Sequence, residues 1–367
     1  MARLEDVCEI LDSKRIPITA SDRVAGPYPY YGANGVQDYV ADYIFDDDLI
    51  LLAEDGGNFG SKDKPIAYRI SGKCWVNNHA HVLKPKHGYD VDYVCYSLMY
   101  YDVTSLVNGA TRQKLTQADM RGMVIPDRTL KEQQHIATVL DKLSSLIALR
   151  KQQLAKLDEL VKARFVEMFG DPVQNSKRWP LVSIGDIAEI RIGPFGTMLH
   201  KEDYIEGGHA LVNPSHIVDG RISVDPKLTI SDEKYGELIS YALQAGDIVL
   251  GRRGEMGRCA VVYESGLLCG TGSMIIRPSE QMKPYFLQNI LSNPTYKKII
   301  EGKAVGVTMM NLNIPIVSQL KVPQLPVDLQ DMFIEFMAQV DKEKLTIQQS
   351  LDKLEVLKKS LMQEYFG

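Results

Sequence analysis

The strongest constraint on this chain is that it repeats itself at a fixed distance. The segment KLDELVKARFVEMFG (156–170) returns as KLEVLKKSLMQEYFG at 353–367. The two copies align without a gap at a separation of 197 residues, matching Leu154 to Leu351, Leu157 to Leu354, Phe169 to Phe366 and Gly170 to Gly367. The same offset carries Gln133 onto Gln330, Pro126 onto Pro323 and Leu115 onto Leu312, so GATRQKL (109–115) answers GVTMMNL (306–312). Further back the offset drifts, as loop insertions would cause, but LEDVCEI (4–10) still resembles IGDIAEI (184–190). A period this long indicates duplicated domains rather than a solenoid of short repeats.

Each copy ends in a long heptad pattern. In the first, Ile136, Leu140, Leu143, Ile147, Arg150, Leu154, Leu157, Val161, Arg164 and Met168 recur at alternating steps of four and three. The second gives Phe333, Met337, Val340, Lys344, Ile347, Leu351, Leu354, Lys358, Leu361 and Tyr365. Such spacing predicts two helices with a coiled-coil seam. At 1.5 Å per residue each spans roughly 50 Å. Arg150, Arg164, Lys344 and Lys358 interrupt the seam, where polar residues fix register at some cost in stability. Matched helices separated by a domain favour antiparallel pairing, which would relate the two domains by a pseudo-two-fold axis. The expected fold is α+β, with two similar mixed domains at 1–130 and 176–325 and coiled-coil helices at 131–170 and 326–367.

The globular parts follow one order. Runs of β character (DLILLAEDG, 48–56; PIAYRISGKCWVNN, 65–78; AHVLKP, 80–85) precede a helical VDYVCYSLMYYDV (91–103). In the second part GDIVLGRRGEMGRCAVVYESG (246–266) and TGSMIIRP (271–278) precede a helical PYFLQNILS (284–292).

Charge excludes a basic arm. Residues 1–130 hold 14 Lys+Arg against 18 Asp+Glu, and residues 176–325 hold 16 against 15. Any nucleic-acid contact therefore comes from local clusters or from a more basic partner. The N-terminus lacks the basic-then-apolar pattern of a signal peptide. No run approaches the roughly 18 apolar residues of a membrane span. The five cysteines form no CxxC, as expected of reduced, buried thiols in a cytoplasmic protein.

Several clusters suit DNA. PYPYYGANGV (27–36) places Tyr28, Tyr30 and Tyr31 near Asn34. NNHAH (77–81) offers Asn77, Asn78, His79 and His81, and on one strand Asn77, His79 and His81 would share a face. Asn can read adenine through two hydrogen bonds. The HxH lacks the neighbouring carboxylate or cysteine that a metal site needs. GATRQKL adds Arg112, Gln113 and Lys114. In the second part GPFGTMLHKEDY (193–204) contributes Thr197, His200 and Lys201. GRRGEMGR (251–258) sets Arg252, Arg253 and Arg258 among glycines that let backbone approach phosphate.

Catalytic patterns are missing. SNPTY (292–296) lacks the second proline of the adenine-methyltransferase motif, and no Gly-rich loop supplies an S-adenosylmethionine site. There is no HExxH, GxSxG or Walker A loop.

The whole chain resembles the specificity (S) subunits of type I restriction–modification systems. The resemblance rests on the repeat of domain plus helix and on PYPYYGANGV, EDGGNFG (54–60), NNHAHVLKP (77–85), NGATRQKLTQADMRGMVIPDRTLKEQQHIATVLD (108–141), GPFGTMLHKEDY and GDIVLGRRGEMGRCAVV (246–262). In the second copy LPVDLQD (325–331) replaces TLKEQQH, so residue-level transfer there is weaker. The resemblance implies two target recognition domains, each reading half of a bipartite double-stranded DNA site. It implies helices that set the gap and dock two methyltransferase (M) subunits, which restriction (R) subunits join. It also implies no catalysis in this chain, with S-adenosylmethionine and ATP bound only by partners. The alternatives are the specificity component of a related type II methylase–nuclease system, and a coiled-coil scaffold for proteins.

Overall fold

The computed structural model describes residues 1–61, 64–109, 113–306 and 311–367. The chain divides into two compact units. Unit 1 comprises Met1–Gln153 with Ile347–Gly367, and unit 2 comprises Leu154–Thr346. The sequence boundaries near 130 and 326 mark where the long helices begin. The units do not follow them, because each long helix is shared.

Unit 1 is built on a four-stranded antiparallel sheet in the order Cys8–Ile10, Ala80–Pro85, Leu49–Ala53, Ala67–Ile70. The apolar run LILLA is buried on both faces, which explains why it does not alternate with polar residues. Ile50 and Leu52 pack toward the helix Val91–Met99, while Leu49 and Leu51 pack with Phe45, Cys74 and Val76 of a second sheet. That second sheet orders Gly35–Val40, Ala25–Gly32, Lys73–Val76, Phe45–Asp46, with a parallel pairing of Tyr30 to Trp75.

Unit 2 repeats this plan. Its four-stranded sheet runs Ala188–Ile192, Ser273–Pro278, Ile248–Gly251, Cys259–Val261, in the same relative order and again antiparallel. Ile248 and Leu250 face the core that includes Phe286 of the helix Pro284–Ser292, and Val249 faces the opposite cluster. A second sheet again contains a parallel pair, Leu211 to Leu268. In both units a short ribbon leads into the long helix, Ala2–Arg3 with Val124–Ile125 and Leu181–Ser183 with Lys321–Pro323.

The first long helix is Leu130–Phe169 and the second Val327–Phe366. Along both, the expected seam positions are buried or half-buried: Ile136, Leu140, Leu143, Ile147, Leu154, Leu157 and Val161, then Val340, Ile347, Leu351, Leu354 and Leu361. Within unit 1 the start of the first helix packs on the end of the second. Leu361, Tyr365 and Phe366 cover the core around Ile136 and Leu140. Arg128 donates to the Tyr365 carbonyl at 3.3 Å, and Lys151 pairs with Glu355 at 2.8 Å. Within unit 2 the end of the first helix meets the start of the second, with the Phe165 ring 5.4 Å from Phe333. Rising numbers on one helix meet falling numbers on the other, so the pairing is antiparallel in each unit.

The seam cations have specific places. Lys344 bonds to Asp158 across the helix pair, and the Arg164 guanidinium lies 5.9 Å from the Phe336 ring. Lys358 lies 5.9 Å from the Tyr96 ring. Arg150 bonds along its own helix to Gln153 at 2.8 Å.

Two buried glutamines anchor the helices. Gln133 accepts from the Asp90 N–H at 2.8 Å and donates to the carbonyls of Arg128 and Gly88. Gln330 accepts from the Lys283 N–H at 2.8 Å and donates to the carbonyls of Leu325 and Gln281. Asp90 and Lys283 are the N-cap residues of Val91–Met99 and Pro284–Ser292. Each glutamine thus ties a short helix to the first turn of a long one.

Among the described residues no helix is long and apolar enough to cross a membrane. All five cysteines are buried free thiols, and burial pushes Cys8 up to about 12.

Candidate nucleic-acid interface

In unit 1 four segments converge at one end of the strands. Asn34, in the turn after Ala25–Gly32, donates to the Gly56 carbonyl at 2.9 Å. His79 Nδ1 lies 2.7 Å from Asp55, and Lys114 pairs with Glu54 at 2.9 Å. The loop that begins at Glu54 is therefore the hub, with exposed Asn34, Asn78, Gln113 and Lys114 and half-buried His79 around it. This loop is the EDGGNFG segment (54–60), whose sequence does not mark it as a hub.

Other candidates lie elsewhere. Tyr28 is in the middle of its strand, away from this turn, 5.0 Å from Tyr43, whose ring also meets Lys73. Tyr31 is half-buried beside Tyr68, and burial raises its phenol above the ordinary range. Arg112 falls outside the described residues.

Three unit 1 candidates prove to be interior groups. Tyr30 is 1% exposed, exchanges hydrogen bonds with the backbone of Ile18 and lies under the Arg23 guanidinium. Asn77 is buried; it donates to Gln37 at 3.0 Å and accepts from the His79 N–H at 2.8 Å. His81 is 1% exposed. The expected common face for Asn77, His79 and His81 does not form. The strand ends at Val76 and a turn intervenes before Ala80.

His81 instead closes a buried ion network. Its Nδ1 lies 2.6 Å from Asp12, its Nε2 lies 3.0 Å from the Leu115 carbonyl, and Glu54 is 3.6 Å away. Chain folding supplies the carboxylates that were missing near the HxH in sequence. Asp12, Glu54 and His81 present ligand atoms within 4.8 Å of one another. Those carboxylates are already engaged, however. Arg15 and Lys114 pair with Glu54, Arg15 lies 3.5 Å from Asp12, and Gln117 donates to Asp12 at 2.9 Å. Burial alone would raise both acids. Hydrogen bonds from His81, Val82 and Gln117 nevertheless hold Asp12 below the usual carboxylate range, and those from Arg15 and Lys114 do the same for Glu54.

In unit 2 the GRRGEMGR loop follows the strand Ile248–Gly251. Arg252 is only 6% exposed, and its Nε donates to Asn311 at 3.0 Å. Burial and the neighbouring Arg253 push its guanidinium downward. Arg253 is exposed, with its N–H aimed at the Gly272 carbonyl. Arg258 is half-buried, pairs with Glu255 and donates to the Ile217 carbonyl at 3.3 Å. Thr197, His200 and Lys201 are exposed on a separate segment, whose Met198 and Leu199 pack with Leu211 and Ile230. Asn311 was not foreseen. Its signal was the repeat, which places it in register with Lys114.

Turn residues and cations dominate these strand-end clusters among the described residues. The family model described as "Type I restriction modification DNA specificity domain" matches residues 1–159 and 176–358, once in each half of the duplication. The chain belongs to this family. It is a type I specificity subunit, itself non-catalytic, and acts within a complex that binds DNA.

The specificity subunit is 30% identical, over 70% of its length and 66% of the relative, to a type I restriction enzyme specificity subunit described from Haemophilus influenzae. It is 20% identical, over 99% of its length and 90% of the relative, to the type I restriction enzyme MjaVIII specificity subunit of Methanocaldococcus jannaschii. In fold it is similar to the S subunit of a type I restriction–modification system from M. genitalium, with a TM-score of 0.58 at 16% identity, covering 100% of this chain and 95% of that one. A chain from a structure of type I complex assembly and conformational transition gives a TM-score of 0.53 at 12% identity, covering 100% and 96%.

Proposed function

We propose that the specificity subunit reads a bipartite DNA site, one half with the strand-end loops of each unit, and that its two long helices set the spacer. The observation that carries this reading is the duplication itself. Both units have the same sheet order, and both are tied to a long helix by an equivalent buried glutamine. Two similar readers, each tied to a long helix, suit two half-sites at fixed spacing. The residues proposed to meet DNA are Asn34, Asn78, His79, Gln113 and Lys114 in unit 1 and Thr197, His200, Lys201, Arg252, Arg253 and Arg258 in unit 2. Tyr30, Asn77 and His81 support the loops from inside.

The partners in this reading are two methyltransferase subunits docked on the helices, with restriction subunits joining that core. S-adenosylmethionine and ATP belong to those partners. Removing one heptad from each helix is expected to change the spacer and leave both half-sites intact, read by methylation mapping in a host that carries the methyltransferase partner. Altered half-sites with an unchanged spacer would sink the ruler idea.

A further inference from the structure

Glu54 of unit 1 and Arg252 of unit 2 occupy the same place in the duplicated fold. The Glu54 N–H donates to the His79 carbonyl at 2.9 Å, and its carbonyl accepts from Leu115 at 2.8 Å. The Arg252 N–H donates to the Gly272 carbonyl at 2.9 Å, and its carbonyl accepts from Leu312 at 3.0 Å. Leu115 and Leu312 are repeat partners, as are Lys114 and Asn311, which hold the two side chains. The duplication has thus replaced an acid held by a lysine with an arginine held by an amide.

The electrostatic outcome differs. In unit 1 Glu54 is neutralised by Arg15 and Lys114. In unit 2 Arg252 has one neutral partner. Among the described residues neither it nor Arg253 has an ion pair, and residues 307–310 contain no acid. Glu255 is taken by Arg258. A buried guanidinium beside a second cation lacks the compensation that buried charges ordinarily have. Gly254, at φ +65° with open space where a Cβ would lie, leaves the backbone next to Arg253 uncovered.

We propose that Arg252 and Arg253 form a seat for one DNA backbone phosphate in the half-site bound by unit 2, and that unit 1 has no equivalent seat because Glu54 fills its position. With Nε held by Asn311, the terminal nitrogens of Arg252 are left to donate to a phosphate oxygen, and Arg253 adds a second charge. This rests on the proposed DNA-reading role.

The test uses the assembled specificity–methyltransferase complex and a duplex carrying the site found by methylation mapping. Affinity is measured against salt for wild type, Arg253→Ala and Arg252→Gln, with melting curves to check folding. Loss of the contact should reduce the slope of log K against log salt by about 0.9 per phosphate released. A neutral methylphosphonate at one position of the unit 2 half-site should weaken the wild type and have little further effect on either variant. The exposed Arg253→Ala keeps the test decisive if Arg252→Gln unfolds. Unchanged slopes in a complex that binds its site overturn the seat alone, as does a loss that follows one base pair with no change of slope. A wild-type complex that assembles yet binds no duplex overturns the DNA-reading role and the seat together.

Discussion

Gln133 and Gln330, 197 residues apart, make the same set of hydrogen bonds: each accepts from the N-cap N–H of a short helix and donates to two loop carbonyls. Both are buried, at 1% and 0% exposure, so neither set can be replaced by bulk water. An amide side chain offers the acceptor and two donors that this corner needs. Gln133→Ala and Gln330→Ala should each cost about 1–3 kcal/mol, the penalty for stranding buried backbone groups. Denaturant unfolding of each variant checks this, and equal costs in the two units are expected.

Phe169 and Phe366 stand next to last in the repeated segment, and each fills a core that another part of the chain builds. Phe169 is buried with its ring 4.9 Å from Phe286 in unit 2, and Phe366 lies 5.3 Å from Tyr93 in unit 1. Phe169→Ala should destabilise by about 3–5 kcal/mol, the usual range for a buried phenylalanine. Phe366→Ala should cost less, because that ring is half-buried. Hydrogen exchange should show Phe366→Ala loosening Val91–Met99 while Phe169→Ala loosens Pro284–Ser292.

Acid should weaken unit 1 through Asp12 and Glu54. Both are held below their ordinary values in the fold, so the unfolded chain binds protons first as pH falls. Their stabilisation is complete above about pH 4–5, the range of free carboxylates, and is lost as pH drops through the lower folded values. Asp12→Asn should lower stability at pH 7 and flatten its decline below pH 4, measured by thermal melting across pH.

Lys358 is the seam cation whose charge the fold disfavours. Burial pushes its ammonium below the ordinary lysine value, outweighing the attraction of Asp141. Lys358→Met keeps the apolar stem beside Tyr96 and removes the desolvated charge. The melting temperature at pH 7 should rise, and the gain over wild type should shrink as pH increases toward the lysine range.

The architecture was legible because it is written in periodicities. A heptad seam survives its four cations, since neighbouring positions at every turn still bury apolar surface. The separation of 197 residues carried through to equivalent sheets because loop insertions shift an offset without changing strand order. The interior of the candidate interface was not legible. Asp12 meets His81 across 69 residues, so the HxH looked bare of carboxylates in sequence. Tyr30 lies in a string of tyrosines whose composition suits DNA, yet it is buried against Ile18 and Arg23 while Tyr28 and Tyr31 stay half-exposed. Glu54 and Arg252 came into register only through backbone hydrogen bonds, because their offset differs from the repeat by one residue.

The division of the chain into units also makes them unequal before a single cut. Unit 2 uses only the continuous segment 154–346, whereas unit 1 requires residues 347–367 to cover its core. Unit 1 is discontinuous in sequence, with all of unit 2 inserted between its two parts. A chain severed after residue 346 would therefore keep every residue of unit 2 and lose the helical turns that cover the unit 1 core.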